Sequence, residues 1–157
     1  MILYTFGYEG LDLNTFLARL GEAGVRQIVD VRKLPLSRKK GFSKRALSAA
    51  LVARGIEYVH INTLGCPKPT RERYREDGNW QTYEQSFRRY LKSQTAAVRV
   101  VAGLAKRKAT CLICFEADYN RCHRSLVARA AVACGAPHLV HLTGETEIAD
   151  APLRAAA

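Results

Sequence analysis

Short apolar runs alternate along this chain with longer stretches of helical period. Ile2 to Phe6 has the length of a strand and is stopped by Gly7-Tyr8-Glu9-Gly10. From Asp12 to Ala23, apolar residues recur at Leu13, Phe16, Leu17 and Leu20, the spacing of one helix face. Val25 to Val31 predicts a second strand with Asp30 and Arg32 at its exit. Pro35 and Gly41 bracket a basic loop, and Ser43 can cap a helix running to about Arg54. Ile56 to Ile61 predicts a third strand with His60 near its end. Asn62 to Asn79 has no period and is expected to be a long loop or lid. Trp80 to Leu91 and Ala96 to Lys108 are helical by pattern. Cys111 to Phe115 then suits a buried strand, Glu116 to Arg121 a polar loop, and the alanine-rich run ending at Gly135 a helix. Pro137 to Leu142 makes a fifth strand holding His138 and His141.

Strands separated by helices predict a three-layer α/β fold, Rossmann-like, with a mostly parallel five-stranded sheet and helices on both faces. The expectation is a single domain over residues 1–144 and a flexible tail over 145–157, polar and rich in alanine. Ligands of such sheets sit outside the carboxyl ends of the strands, where the strand order reverses. Every strand exit here offers polar or reactive groups: Gly7 and Tyr8, Asp30 and Arg32, His60, Cys114 and Glu116, His141.

Composition adds a partner class. Lysine and arginine number 25 against 14 acids, a net charge of +11, with much of the excess in Arg32–Arg45 and Lys68–Arg75. An anionic ligand is expected, DNA, RNA or a nucleotide, against the plainer account of a solvated basic surface. No run has the length of a membrane span, and the N-terminus lacks a signal peptide's layout. A cytoplasmic location, no membrane partner and reduced cysteines follow, the odd count of five arguing against a closed disulfide framework. Nothing in the sequence bears on oligomeric state.

The densest chemistry lies between Glu116 and Arg124. Cys122 stands where a loop enters a helix, a position that lowers a thiol pKa, and His123, Arg121 and Arg124 act in the same direction. Cys114, inside the strand, is assigned to packing, and Cys66, Cys111 and Cys134 are taken as structural. Glu116, His60 and Asp30 are candidate acid–base groups; for Glu116 the competing role is an ion pair with arginine. Arg32, Arg38 and Arg124 suit bidentate capture of phosphate, with His123 and Lys44 beside them, and Tyr8, Tyr58 or Trp80 could receive an unstacked base. No metal or other cofactor is expected. Zinc is the alternative with less support, because residues three apart on a strand, such as Cys111 and Cys114, face opposite sides and Cys122-His123 fits no common finger spacing. Dinucleotide, P-loop and serine-hydrolase signatures are absent.

These words in this order resemble the family named domain of unknown function 488. The likeness rests on Thr5-Phe-Gly7, Val29-Asp-Val-Arg32 with Pro35, Ser37 and Arg38, Phe42-Ser-Lys44, Gly55-Ile-Glu-Tyr58-Val-His60, Leu64-Gly65, Cys114-Phe-Glu116, Cys122-His-Arg124 and His141. It implies a small α/β protein whose pocket, rich in cysteine, histidine and arginine, suggests catalysis. One departure is Cys66, where a second glycine commonly follows Leu-Gly. A strand ending in Cys114 before a basic loop and helix is also similar, at fold level only, to rhodanese-type sulfurtransferases and cysteine phosphatases. The phosphatase spacing fails, since Asn120 stands where arginine is required. The expected function is an enzyme acting on a nucleic-acid or nucleotide-type anionic substrate, by hydrolase- or transferase-type chemistry. A non-catalytic nucleic-acid-binding module and a thiol-dependent sulfurtransferase- or phosphatase-like enzyme on a small molecule are the alternatives.

Overall fold

The structure, a computed structural model, describes residues 1–151. Strands β1 (Ile2–Gly7), β2 (Gln27–Asp30), β3 (Glu57–His60), β4 (Thr110–Cys114), β5 (His138–Leu142) and β6 (Glu147–Ala149) form one sheet in the order β3-β2-β4-β1-β5-β6. The first five are parallel, and β6 runs antiparallel beside β5. The helices are α1 (Leu13–Glu22), α2 (Lys44–Val52), α3 (Lys68–Asp77), α4 (Trp80–Lys92), α5 (Thr95–Arg107) and α6 (His123–Ala133).

Period-2 alternation divides the core in two. Leu3, Val29, Leu112 and Leu139 pack with the apolar stripes of α4, α5 and α6. Tyr4, Phe6, Ile28, Ile113 and Val140 pack with those of α1 and α2 on the other face. Local signals start the helices where the sequence placed them: Asp12 Oδ1 accepts from the Thr15 amide at 2.7 Å, and Asn79 Oδ1 from that of Thr82 at 3.1 Å.

The mostly parallel sheet between two helical layers is as expected, but two expectations are corrected. The sheet has six strands, not five, because Glu147–Ala149 pairs with β5 inside the segment expected to be a tail. Asp150 fastens that strand by accepting from Arg129 and from His141 Nε2 at 2.8 Å. The rest of the expected tail, residues 152–157, lies outside the described residues. The expected loop over 62–79 is mostly helix α3. Its helical signals are charged rather than apolar: Lys68–Glu72 and Arg73–Asp77 are i,i+4 pairs, and Gly78 at φ +60° ends the helix.

Strand β4 lies between β1 and β2, so the connections leaving β1 and β4 depart to opposite sides of the sheet. That arrangement opens a crevice at the carboxyl ends of β1, β4 and β2. Among the described residues no helix is long and apolar enough to cross a membrane.

Candidate active site

The crevice floor is set by a close backbone crossing. Gly7 ends β1 in register with Cys114 at the end of β4, and the Tyr8 amide donates to the Cys114 carbonyl at 3.1 Å. A Cβ on Gly7 would stand 1.8 Å from the Glu116 carbonyl oxygen and 2.9 Å from Arg124 Nη1. Only glycine lets the segment after β4 fold back over β1, and this turn carries Cys114, Glu116 and the start of α6 to one place.

Arg124 occupies the centre of that turn and is 0% exposed. Its Nη1 donates to Cys114 Sγ at 3.2 Å and to the Glu116 carbonyl, and Nη2 donates to Ala117 O at 3.4 Å. Its Nε has no partner, and among the described residues no carboxylate pairs with it. A buried charge without a counter-ion is costly, so an anion must be supplied locally. The two sulfurs beside it, Cys114 and Cys122, are the groups able to do so.

Cys122 is the N-cap of α6 and 4% exposed. Burial alone would raise its pKa, but the Cys114 S–H, the Arg124 charge, and the Arg124 backbone and side-chain N–H groups bring it down to about 7. Cys114 moves the other way, raised well above the usual thiol range by burial and then by Cys122. The pair therefore divides into a protonated donor and an ionised acceptor. His123 completes the group. Its Nε2 lies 2.8 Å from the Val31 carbonyl oxygen, which can only accept, so Nε2 carries the proton. Nδ1 then presents its lone pair to Cys122 Sγ at 3.8 Å.

A second buried network backs the crevice. Asp30, 0% exposed, accepts from Arg32 Nε at 2.9 Å, from Arg32 Nη2 at 2.7 Å and from the Tyr58 hydroxyl at 2.5 Å. Arg32 Nη1 donates to the Tyr8 hydroxyl and to Phe42 O. Four of the five Arg32 N–H groups are thereby engaged within the protein. His60 Nε2 lies 2.8 Å from the Arg32 carbonyl, behind the same wall. Asp30, Tyr58 and His60 stand behind the wall that Arg32 and Tyr8 present to the cleft.

A family model for Domain of unknown function DUF488 matches residues 12–131. The chain belongs to that family. The match holds Asp30, Arg32 and the whole Cys114–Arg124 turn, while Gly7 and His141 lie outside it. No curated protein and no solved structure matches the chain.

In this DUF488 protein the cleft measures about 450 Å³, a size suited to a small molecule. Of the residues expected from sequence, Tyr8, Arg32, Glu116, Cys122 and His123 line it, and Arg124 lies beneath. Asp30, His60, Tyr58, Arg38, Lys44 and Trp80 are not on its wall. Arg38 and Lys44 are exposed outside it, and Trp80 stacks on Tyr83 with ring centroids 4.9 Å apart. Tyr8 is 2% exposed, stacked on Phe42 at 4.4 Å with the Arg32 guanidinium 5.5 Å from its ring centroid, so its ring is covered by protein. His141 sits in a separate network with Thr5 and Asp150, under the Tyr119 ring.

The wall also holds residues that sequence reasoning passed over. Cys114 was assigned to packing and Cys66 to structure, yet both line the cleft. Lys33, Arg71, Tyr74, Arg75 and Phe115 join them. Arg71, Tyr74 and Arg75 stand three and four apart, a spacing that places them on one helix face once α3 is known to be a helix. Glu9 was missed as well. It accepts from the Ala117 amide at 3.1 Å, and burial and then the nearby Glu9 carboxylate raise the pKa of Glu116, against the Asp118 amide that lowers it.

Cys114, Cys122 and His123 place three donor atoms within 4.8 Å of one another, the one group among the described residues that could hold a metal. The set suits a soft dication such as zinc. Arg124, 3.2 Å from one of these donors, already places a positive charge there and disfavours another.

Proposed function

We propose that the protein is an enzyme in which the Cys122 thiolate is the nucleophile, acting on an anionic substrate at the carboxyl edge of the sheet. The observation that carries this reading is Arg124, a wholly buried guanidinium with no carboxylate partner, placed against two thiols. A structural arginine would bring a carboxylate, as Arg32 has in Asp30; this one is neutralised only if a sulfur ionises.

The chemistry then has defined roles. The Cys122 thiol gives its proton to His123 Nδ1 and attacks the electrophilic centre of the substrate, breaking the bond to the leaving group. Glu116, with its raised pKa, donates a proton to that leaving group and afterwards takes one from water or an acceptor that releases the product from Cys122. Water makes the enzyme a hydrolase and another acceptor a transferase. A nucleotide-type substrate fits the cationic wall. Nucleic acid as a partner is favoured by one separate observation, the exposed Arg38, Lys40, Lys44 and Arg45 outside the cleft. Binding there would weaken linearly with log salt and survive Cys122→Ser.

Alkylation tests the main reading without a known substrate. Cys134 is the one exposed cysteine and serves as internal reference. With limiting iodoacetamide at neutral pH, Cys122 is expected to be modified ahead of Cys134 despite its burial. Modification of Cys134 alone, with Cys122 reacting no faster than free cysteine, would exclude a nucleophilic role.

A further inference from the structure

The cleft mouth carries a charge pattern that the thiol chemistry does not use. Lys33, Arg71, Arg75 and Arg121 line it, against one lining carboxylate, Glu116. Among the described residues none of these four cations is in a salt bridge. Arg71 directs Nε to the Cys66 carbonyl at 3.2 Å, which fixes its stem and leaves both Nη groups free. Arg75 follows one helical turn later on α3. Other basic residues on the same helix are paired, Lys68 with Glu72 and Arg73 with Asp77, so the cleft-facing cations are the ones without partners.

An apolar surface lies beside them. Phe115 is 48% exposed at the mouth, its ring held edge-on to Tyr8 with centroids 5.5 Å apart, and exposed Leu34 and Leu36 also line the opening. An open aromatic ring next to unpaired guanidiniums fits a ligand with a flat apolar body and more than one negative charge, since a single carboxylate would leave most of the cations uncompensated. The closed floor and the volume of the cleft suit one nucleotide unit rather than a strand running through.

We infer that the mouth is a nucleotide subsite, in which Arg71, Arg75 and Arg121 hold the phosphate of a nucleoside mono- or diphosphate and Phe115 stacks its base. This rests on the proposed thiolate site only in orientation, since it places the ligand above Cys122. The phosphate belongs at the arginine rim and the base on Phe115, with the reacting bond turned toward the thiol.

Calorimetric titration of the Cys122→Ser protein tests the subsite independently of thiol reactivity. The probes are adenosine, guanosine, cytidine and uridine 5′-monophosphates, the corresponding nucleosides, inorganic phosphate and a short single-stranded RNA. At least one monophosphate is expected to bind, its nucleoside and inorganic phosphate each more weakly by about ten-fold or more. Arg71→Ala with Arg75→Ala, both on a solvent-facing helix, should weaken the monophosphate by about ten-fold or more. Phe115→Ala should weaken it while leaving the affinity for inorganic phosphate unchanged. Equal binding of nucleoside and nucleotide, an unaffected double variant, or binding of RNA with no response to any monophosphate would each overturn the assignment. If a monophosphate binds but Cys122 proves unreactive to iodoacetamide, the subsite stands and the thiolate reading falls.

Discussion

Arg124→Met removes the charge that holds the Cys122 thiol ionised while keeping much of the side-chain volume. With a pKa of about 7, Cys122 is about half ionised at neutral pH, against about one per cent at the ordinary thiol value of 9.0. Two pKa units correspond to about 3 kcal/mol in favour of the anion. A unit charge about 4 Å away at an effective dielectric near 20 supplies about 4 kcal/mol, so Arg124, together with the Cys114 S–H, is large enough to overcome the burial that would raise the thiol. Without the side chain, burial, the largest influence, remains against the Cys114 S–H and the residue-124 amide, which should return the Cys122 pKa to about 9.

The rate at a single pH is a poor reporter of this change. The variant loses thiolate about fifty-fold at neutral pH, but each thiolate gains about ten-fold in nucleophilicity at a Brønsted slope near 0.5, for a net slowing of only about five-fold. The midpoint of the pH–rate profile carries the full two units. It is read by iodoacetamide alkylation from about pH 5 to about pH 10, with Cys122 and Cys134 quantified separately by peptide mass spectrometry. Arg124→Lys, which keeps the charge and loses the forked donors to Glu116 O and Ala117 O, should move the midpoint less. A wild-type Cys122 midpoint at or above that of Cys134, or one that Arg124→Met leaves in place with near-ultraviolet circular dichroism intact, would refute the electrostatic account.

Three more outcomes follow from the same geometry. Because the folded pKa of Cys122 lies below its unfolded value, the unfolded chain holds more protons at this site between about pH 7 and 9; the stability advantage of the wild type over Cys122→Ser in urea should grow across that window by about 2 kcal/mol, and a difference that stays flat would contradict the lowered pKa. Asp30→Asn strands the Arg32 guanidinium and the Tyr58 hydroxyl in the core, so it should cost about 3–5 kcal/mol in equilibrium urea unfolding, and a variant as stable as the parent would contradict the buried pair. Gly7→Ala places a Cβ 1.8 Å from the Glu116 carbonyl oxygen; it should destabilise by about 3 kcal/mol or more and raise the Cys122 alkylation midpoint, both of which the same two assays read.

Elements with an apolar period were legible in the sequence because burial enforces that period. Phe16, Leu17 and Leu20 on α1, or Val98, Val101, Ala102 and Ala105 on α5, recur as a buried helix face must. Helix α3 was not legible because it buries nothing fully and is held by charge pairs, Gly78 and the contact of Tyr74 with Trp80. Strand β6 was missed for a related reason: all three residues are exposed, and its pairing depends on Asp150 reaching His141 and Arg129. Convergence on the crevice was legible from the polar residues at the ends of β1, β2 and β4. Which polar residues face the cleft was not, since Asp30, His60 and Tyr58 are directed by the tertiary partners they find.

Two arginines at this edge show how far the same residue type can differ in consequence. Arg32 follows β2 and Arg124 lies in the first turn of α6, and both are buried, but Arg32 meets Asp30 and forms a neutral pair that holds the wall in place. Arg124 meets thiols instead. A thiol, unlike a carboxylate, can gain or lose its proton near neutrality, so the charge balance around Arg124 is tied to the ionisation of Cys122. That coupling has a corollary for binding. Once Cys122 is a thiolate, Arg124 is compensated and has little attraction left for a ligand, and the substrate's charge must be met elsewhere. Arg71, Arg75 and Arg121, unpaired at the mouth, are placed to meet it. On the proposed reading the buried arginine activates the sulfur while those at the mouth hold the substrate, and neither set can replace the other.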